Sequence, residues 1–302
     1  MKTGSNLERI LESGAFAVTA ELGPPKSADP QVIIDKAAIL KDHVDAVNIT
    51  DNQTAIVRMS SAAAAKICIE QGLEPVMQMT CRDRNRLAIQ ADILGAAALG
   101  VKNLLCLTGD HQCFGNHPQA LGVFDLDSIT MIRMVKDMRD GPMFQNGEEI
   151  TGPAPKLFIG AAANPYADPF PYRALRLAKK VDAGIGFVQT QIVFNVDKFE
   201  EFMHQCRELG VSERCRILAG VAPLKSAGMA KYMKNRVAGM DVPDKIVTRM
   251  SGAKDAQDEG IQVCVDIINR IREIEGVAGV HIMAVEWETS VSEIVRRAGL
   301  KK

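Results

Sequence analysis

Glu21 is the first residue whose setting suggests chemistry. It stands near the end of an otherwise apolar run, Ala17-Val18-Thr19-Ala20-Glu21-Leu22, directly before Gly23-Pro24-Pro25. The prolines stop the run and stiffen the loop that follows, and a carboxyl held among apolar groups becomes a weaker acid through desolvation. A weakened acid can deliver a proton near neutral pH. Asp110 follows a second such run, Leu104-Leu105-Cys106-Leu107, in the sequence Thr108-Gly109-Asp110. Two carboxylates reaching one place from different segments can divide proton donation from electrostatic support. Taken singly, each also reads as ordinary: Glu21 as a solvated edge residue, Asp110 as the cap of a following turn.

Other apolar runs end in polar groups too: Thr50 with Asp51 and Asn52, Gln78 with Thr80, Asn164, Gln189 with Gln191, Lys225, and Glu286 with Glu288. The Gln191 amide, inside an apolar strand, needs a hydrogen-bond partner. Thr50 reads equally as a β-branched strand end. Lys180 reads equally as a surface lysine that closes a helix at the negative end of its dipole. His111, Cys113 and His117 bring only three donors together in a Gly- and Pro-containing loop, whereas structural zinc normally shows four in paired spacing, so no metal is expected. The seven cysteines form no C-x-x-C pair and read as reduced thiols.

To converge, these residues need a scaffold that ends many strands at one face. Eight β-rich runs are spaced along the chain: Phe16–Leu22, Ala46–Thr50, Pro75–Thr80, Asn103–Thr108, Lys156–Ala162, Phe187–Ile192, Arg216–Ala222 and Gly279–Val285. Amphipathic helical stretches follow them, at Pro30–Lys41, Ser60–Gln71, Arg84–Leu99, Ser128–Arg139, Tyr172–Ala183, Asp197–Leu209, Gln257–Ile274 and Ser290–Ala298. Gly72, Gly100, Gly184, Gly210 and Gly276 fall where a helix hands over to the next strand and needs a left-handed cap. The predicted fold is α/β, a single (βα)8 TIM barrel with insertions after strands 4 and 7, residues 1–302 forming one domain. Such insertions lie on the face where barrels do their chemistry. An open doubly wound sheet is the alternative, but its G-x-G-x-x-G is missing after the first strand.

Composition narrows the partners. The chain has 302 residues, and its 36 Lys+Arg against 37 Asp+Glu leave a net charge of −1, which gives no general pull toward nucleic acid or an anionic bilayer. No apolar stretch approaches the roughly 20 residues that span a membrane. The opening MKTGSNLERILESG carries Glu8, Arg9 and Glu12 where an export signal would be apolar, so a cytoplasmic location is expected. A homo-oligomer is left open; the apolar face at Ile268–Ile274 favours inward packing.

Several segments together resemble the methylenetetrahydrofolate reductases, flavin-dependent (βα)8 barrels of one-carbon metabolism. They are the E-x-x-P-P element at Glu21–Pro25, the N-x-T at Asn48–Thr50, Met79-Thr80-Cys81, Leu107-Thr108-Gly109-Asp110, and Lys179-Lys180-Val181-Asp182-Ala183-Gly184 followed by Thr190-Gln191. Gly220-Val221-Ala222-Pro223 and Val242-Pro243 come next, so the likeness runs from Phe16 to Leu300.

The resemblance implies interconversion of 5,10-methylenetetrahydrofolate and 5-methyltetrahydrofolate. Glu21 would be the acid that assists opening of the folate ring to an iminium, and Asp110 the carboxylate beside flavin and pterin. Gln191 and Thr50 would hold folate or line the flavin pocket, and Lys180 would reach the flavin phosphates, as a cation suits. Gln78, Thr80, Thr108, Gly109 and Asn164 complete the implied flavin set. Gln78 stands where NADH-using members have His, Thr108 where they have Arg, and Ala227 where they carry an aromatic residue that stacks on nicotinamide or folate. FMN thus stands beside FAD as a candidate, and the pattern is nearer to the flavin subunits of anaerobic pathways, which take electrons from a zinc- or iron-sulfur-containing partner. The rival readings are a folate-dependent methyltransferase on the same kind of barrel, which needs no flavin, and a non-catalytic assembly subunit.

Overall fold

The computed structural model describes residues 3–300. Among them, eight parallel strands close into a barrel in sequence order: β1 (Ala17–Leu22), β2 (Ala46–Ile49), β3 (Pro75–Thr80), β4 (Asn103–Leu107), β5 (Phe158–Ala163), β6 (Phe187–Ile192), β7 (Arg216–Val221) and β8 (Val277–Ile282). Closure is made by β8 on β1, with Ala17 opposite Gly279 and Ala20 opposite Ile282. The helices are α1 (Asn6–Glu12), α2 (Gln31–Leu40), α3 (Ser61–Glu70), α4 (Arg86–Ala98), α5 (Ser128–Asp140), α6 (Tyr172–Ala183), α7 (Val196–Glu208), α8 (Val211–Arg214), α9 (Ala227–Arg236), α10 (Asp244–Gly252), α11 (Ala256–Arg272) and α12 (Ser290–Arg297). The eight expected strands and eight expected helices are all present, their ends displaced by a few residues. The largest displacement is at β8, which stops at Ile282 because the chain turns at Ala284, where the Trp287 amide donates to the Ala284 carbonyl.

The two insertions are built differently. The extra length after β4 is shared between a loop on the mouth side, containing the 3₁₀ turn Gln112–Phe114, and residues 141–157 beyond α5, which lie at the opposite end. After β7 the whole insertion precedes α11 and includes α9 and α10, neither of which the sequence had suggested. Along α11, Ile268 and Ile271 are fully buried, so this face packs inward.

Strand side chains alternate between two environments, as the period of two requires. The outward set forms the large apolar layer between sheet and helices. The inward set begins with an apolar plug, Ala17, Ala46, Val76, Phe158, Phe187 and Leu218, closed from below by Leu7 and Leu11 of α1. Phe158 and Phe187 stack with centroids 4.8 Å apart. Gly160 makes room for them, since a Cβ there would lie 2.3 Å from the Phe187 ring. Glu74 anchors the plug helix by accepting from the Asn6 and Leu7 amides at 2.8 and 3.0 Å, an anion at a helix N-terminus. The next inward residues are polar, namely Thr19, Asn48, Gln189 and His281, and above them the barrel opens.

Candidate active site

A cavity of about 390 Å³ opens at the C-terminal ends of the strands, within the range of roughly 300–1,000 Å³ usual for small-molecule sites. Of the residues expected from sequence, Glu21, Gln78, Asp110, Asn164, Lys180 and Gln191 line it. The two carboxylates therefore share one mouth, although they come from β1 and from the loop after β4.

Glu21 follows Thr19 and Ala17 on the inward face of β1 and accepts from Gln53 Nε2 at 3.3 Å. Its carboxyl is held above the usual range first by burial; the Gln53 hydrogen bond opposes this, Glu288 reinforces it, and Lys36 and Arg58 oppose it. Lys36 and Glu288 are themselves paired at 2.5 Å. Glu21 is thus a packed group with a defined partner, not the solvated edge residue of the alternative reading.

Asp110 is exposed to the mouth. It does not cap the following turn; His111 does, through Nδ1 accepting from the Cys113 amide at 3.2 Å. Its place is fixed from behind. Gly109 takes a φ of +94°, and a Cβ there would lie 3.0 Å from Arg82 Cβ and 3.1 Å from Thr80 Cβ. The buried Arg82 donates to the Asp110 carbonyl and the Asn52 carbonyl, both at 3.2 Å, and pairs with Asp83 at 2.7 Å. One guanidinium thereby ties the loops after β2, β3 and β4 together.

Lys180 is not a surface lysine. It lies on the last turn of α6, is buried, and donates from Nζ to the Ala162 carbonyl at 2.7 Å. Burial, aided by the neighbouring Arg176, brings its amine down to about 8. Arg173 and Arg176 line the same wall.

Four expected cofactor residues do not line the cavity. Thr80 donates its hydroxyl to the buried Asp51 at 3.0 Å, which also accepts from Arg84 at 2.7 Å. Thr108 Oγ1 accepts from the Ser128 amide at 3.2 Å at the start of α5. Gly109 serves the loop's shape. Thr50 is buried, and its Oγ1 has no hydrogen-bond partner among the described residues. A strand-end position places a residue near the mouth, but local hydrogen bonding decides which way it faces.

Sequence reasoning missed Gln53, Arg173, Arg176 and His281 as cavity residues. The spacing of Arg173, Arg176 and Lys180, at i, i+3 and i+7, puts three cations on one helix stripe and was the available signal. His281 was signalled only by alternation along β8. Among the described residues, no group of three or more His, Cys, Asp or Glu could hold a metal, and no helix is long and apolar enough to cross a membrane.

This arrangement puts acids, amides and cations around one opening at a barrel mouth. The sequence profile of methylenetetrahydrofolate reductase matches residues 6–299. The chain belongs to the methylenetetrahydrofolate reductase family. That family is flavin-dependent in general. Among curated members, the probable methylenetetrahydrofolate reductase (NADPH) of Caenorhabditis elegans is 26% identical over 254 residues, covering 82% of this chain and 35% of the relative. The methylenetetrahydrofolate reductase (NADH) 1 of Arabidopsis thaliana is 24% identical over 320 residues, covering 99% of this chain and 51% of the relative. This chain therefore spans about a third to a half of the length of those relatives. The 5,10-methylenetetrahydrofolate reductase of Salmonella typhimurium is nearer in size, 23% identical over 280 residues, with 89% of this chain and 86% of the relative covered. The barrel is shared with a solved Clostridium thermocellum protein that binds two copies of 5-methyl-5,6,7,8-tetrahydrofolic acid, at a TM-score of 0.70 and 13% identity over 98% of this chain and all of that one.

Proposed function

We propose that this chain is a cytoplasmic methylenetetrahydrofolate reductase, residues 1–302 acting as a single flavin-binding domain that interconverts 5,10-methylenetetrahydrofolate and 5-methyltetrahydrofolate. The observation that carries this reading is the convergence of Glu21 and Asp110 on one cavity whose other wall presents Lys180 and two arginines. The family match does not favour the methyltransferase or assembly-subunit readings.

The lining suits a flavin. Leu107, Ala162, Ala163 and Leu177 offer an apolar surface for a flat ring, Gln78 and Asn164 offer amides to its polar edge, and Lys180 with Arg176 offers charge to a phosphate. Thr50, with its buried hydroxyl unpartnered, is the further candidate for this set. When bound, the flavin supplies the hydride; the protein supplies position and charge.

The remaining work falls to this chain's own groups. Glu21, kept protonated to higher pH by its burial, gives its proton to the folate nitrogen that leaves as the five-membered ring opens. Gln53 orients that carboxyl. Asp110, negative beside the resulting cation, stabilises it and holds the pterin, while Gln191 supplies an amide that both donates and accepts.

Electrons come from a zinc- or iron-sulfur-containing partner in this proposal. Its support is Ala227, which packs partly buried against the barrel's apolar layer and offers no ring for a nicotinamide to stack on. The test is to purify the chain, identify any extracted flavin as FAD or FMN, and mix the reduced protein anaerobically with 5,10-methylenetetrahydrofolate. Formation of 5-methyltetrahydrofolate is expected. A colourless protein that binds no added flavin would overturn the proposal, and rapid NADH oxidation by the single chain would remove the partner.

A further inference from the structure

The loop after β2 carries backbone strain beside the proposed acid. Asn52, Thr54 and Ala55 all take left-handed φ values, of 45°, 57° and 55°. Asn tolerates that region, but for a β-branched residue such as Thr it is an outlier. Residues of this kind persist only where their surroundings over-determine them. Among the three stands Gln53, which lines the cavity and donates from Nε2 to Glu21 at 3.3 Å. The turn is held from two sides. On one, the buried Arg82 donates to the Asn52 carbonyl at 3.2 Å, and the Asn52 side chain accepts from the Arg58 amide at 3.0 Å. On the other lies the mouth-side loop of the insertion after β4. Its Asn116 accepts at Oδ1 from the Val57 amide at 3.2 Å, and its Gly115 lies so near that a Cβ there would fall 1.8 Å from the Ala55 carbonyl oxygen and 2.5 Å from the carbonyl carbon. The Gly115 backbone is extended, with φ −100°, a conformation open to any residue, so it is the close approach that requires glycine.

We propose that Gly115 is a positioning residue for the acid: by admitting the Ala55 carbonyl, it lets the insertion after β4 brace the strained turn that brings Gln53 to Glu21. This inference rests on the reading of Glu21 as the proton donor and adds to it a role for the insertion. The brace also bears on proton affinity. Burial is the main cause that raises the Glu21 pKa, and Glu288, beyond β8, adds to it; the Gln53 hydrogen bond, Lys36 of α2 and Arg58 lower it. Arg58 is tied separately, donating to the Pro24 carbonyl at 3.0 Å. A turn that relaxes therefore takes away the Gln53 bond and leaves the other charges in place. The carboxyl then becomes a weaker acid and is less well aimed.

The test uses the full chain, loaded with flavin and reduced with dithionite, and follows single-turnover conversion of 5,10-methylenetetrahydrofolate against pH. Gln53→Ala should lower the rate on the plateau below the alkaline limb by about tenfold or more and move that limb to higher pH. Gly115→Ala, whose methyl displaces Ala55, should change both in the same directions, with riboflavin affinity staying within about twofold of the unaltered protein. Asn116→Ala, which deletes the insertion's hydrogen bond to Val57 and adds no bulk, repeats the test if Gly115→Ala fails to bind riboflavin. Because the brace acts through Gln53, either change added to Gln53→Ala should alter rate and limb little further, by less than about twofold in rate. An unchanged rate, a lost rate with an unmoved limb, or losses that multiply in the double variant would overturn the proposal. So would riboflavin binding that falls in step with the rate in both variants, since the loop would then serve only the fold. Equal conversion by Glu21→Gln and the unaltered protein would instead remove Glu21 as the acid, a separate outcome.

Discussion

Lys180→Met should make the flavin-free protein more stable and its flavin site worse. Burial brings the Lys180 amine from its ordinary 10.5 to about 8. At roughly 1.4 kcal/mol per tenfold in proton affinity, keeping that charge in the folded protein costs about 3 kcal/mol. The lost bond to the Ala162 carbonyl offsets about 1 kcal/mol of the relief, leaving a net gain of about 2 kcal/mol at pH 7. The pH dependence has a definite sign. With the folded value below the unfolded one, the penalty is fully present below about pH 8 and fades as pH rises toward 10.5, where both states are neutral, so the unaltered protein gains stability across that window and the Met variant lacks this gain. Urea unfolding at pH 7 and pH 10 measures both effects. Flavin titration measures the other half: the variant should bind FMN and FAD about tenfold or more weakly while binding riboflavin, which has no phosphate, unchanged. A variant that is destabilised and binds all three flavins as before would refute the reasoning and make Lys180 a structural residue.

Other changes test the frame around the site. Glu288→Gln removes a like charge beside Glu21 and leaves Lys36 unpaired next to it; both changes lower the Glu21 pKa, so the pH at which folate turnover is lost on the alkaline side should move down, as a pH–rate profile would show, and an upward move would contradict the arrangement. Gly160→Ala places a Cβ 2.3 Å from the Phe187 ring and should cost about 1–3 kcal/mol of stability, seen as a lower midpoint in thermal or urea unfolding. An unchanged midpoint would mean that the apolar plug is loosely packed.

Much of this barrel is legible in the sequence because its strands and helices carry local signals. The five glycines that end helices all adopt positive φ, from +62° at Gly210 to +126° at Gly184, so backbone chemistry marked those boundaries. The plug helix was not foreseen, since its seven residues matter only through contacts with strands far along the chain. At the site, Glu21 and Asp110 were legible as polar groups after apolar runs, and both reach the cavity. Thr80 and Thr108 stand in equivalent positions but bond to Asp51 and to the start of α5, partners that only the folded loops supply. The same limit hid His281 as a cavity residue, since its side-chain partner Thr19 lies 262 residues away in sequence.

Glu21→Gln tests the central claim most directly. The protein should still bind flavin and allow its reduction, while the single-turnover conversion of methylenetetrahydrofolate falls by about 10²–10⁴-fold, the usual contribution of a positioned acid. Conversion at the unaltered rate would contradict the claim that the Glu21 carboxyl delivers the proton.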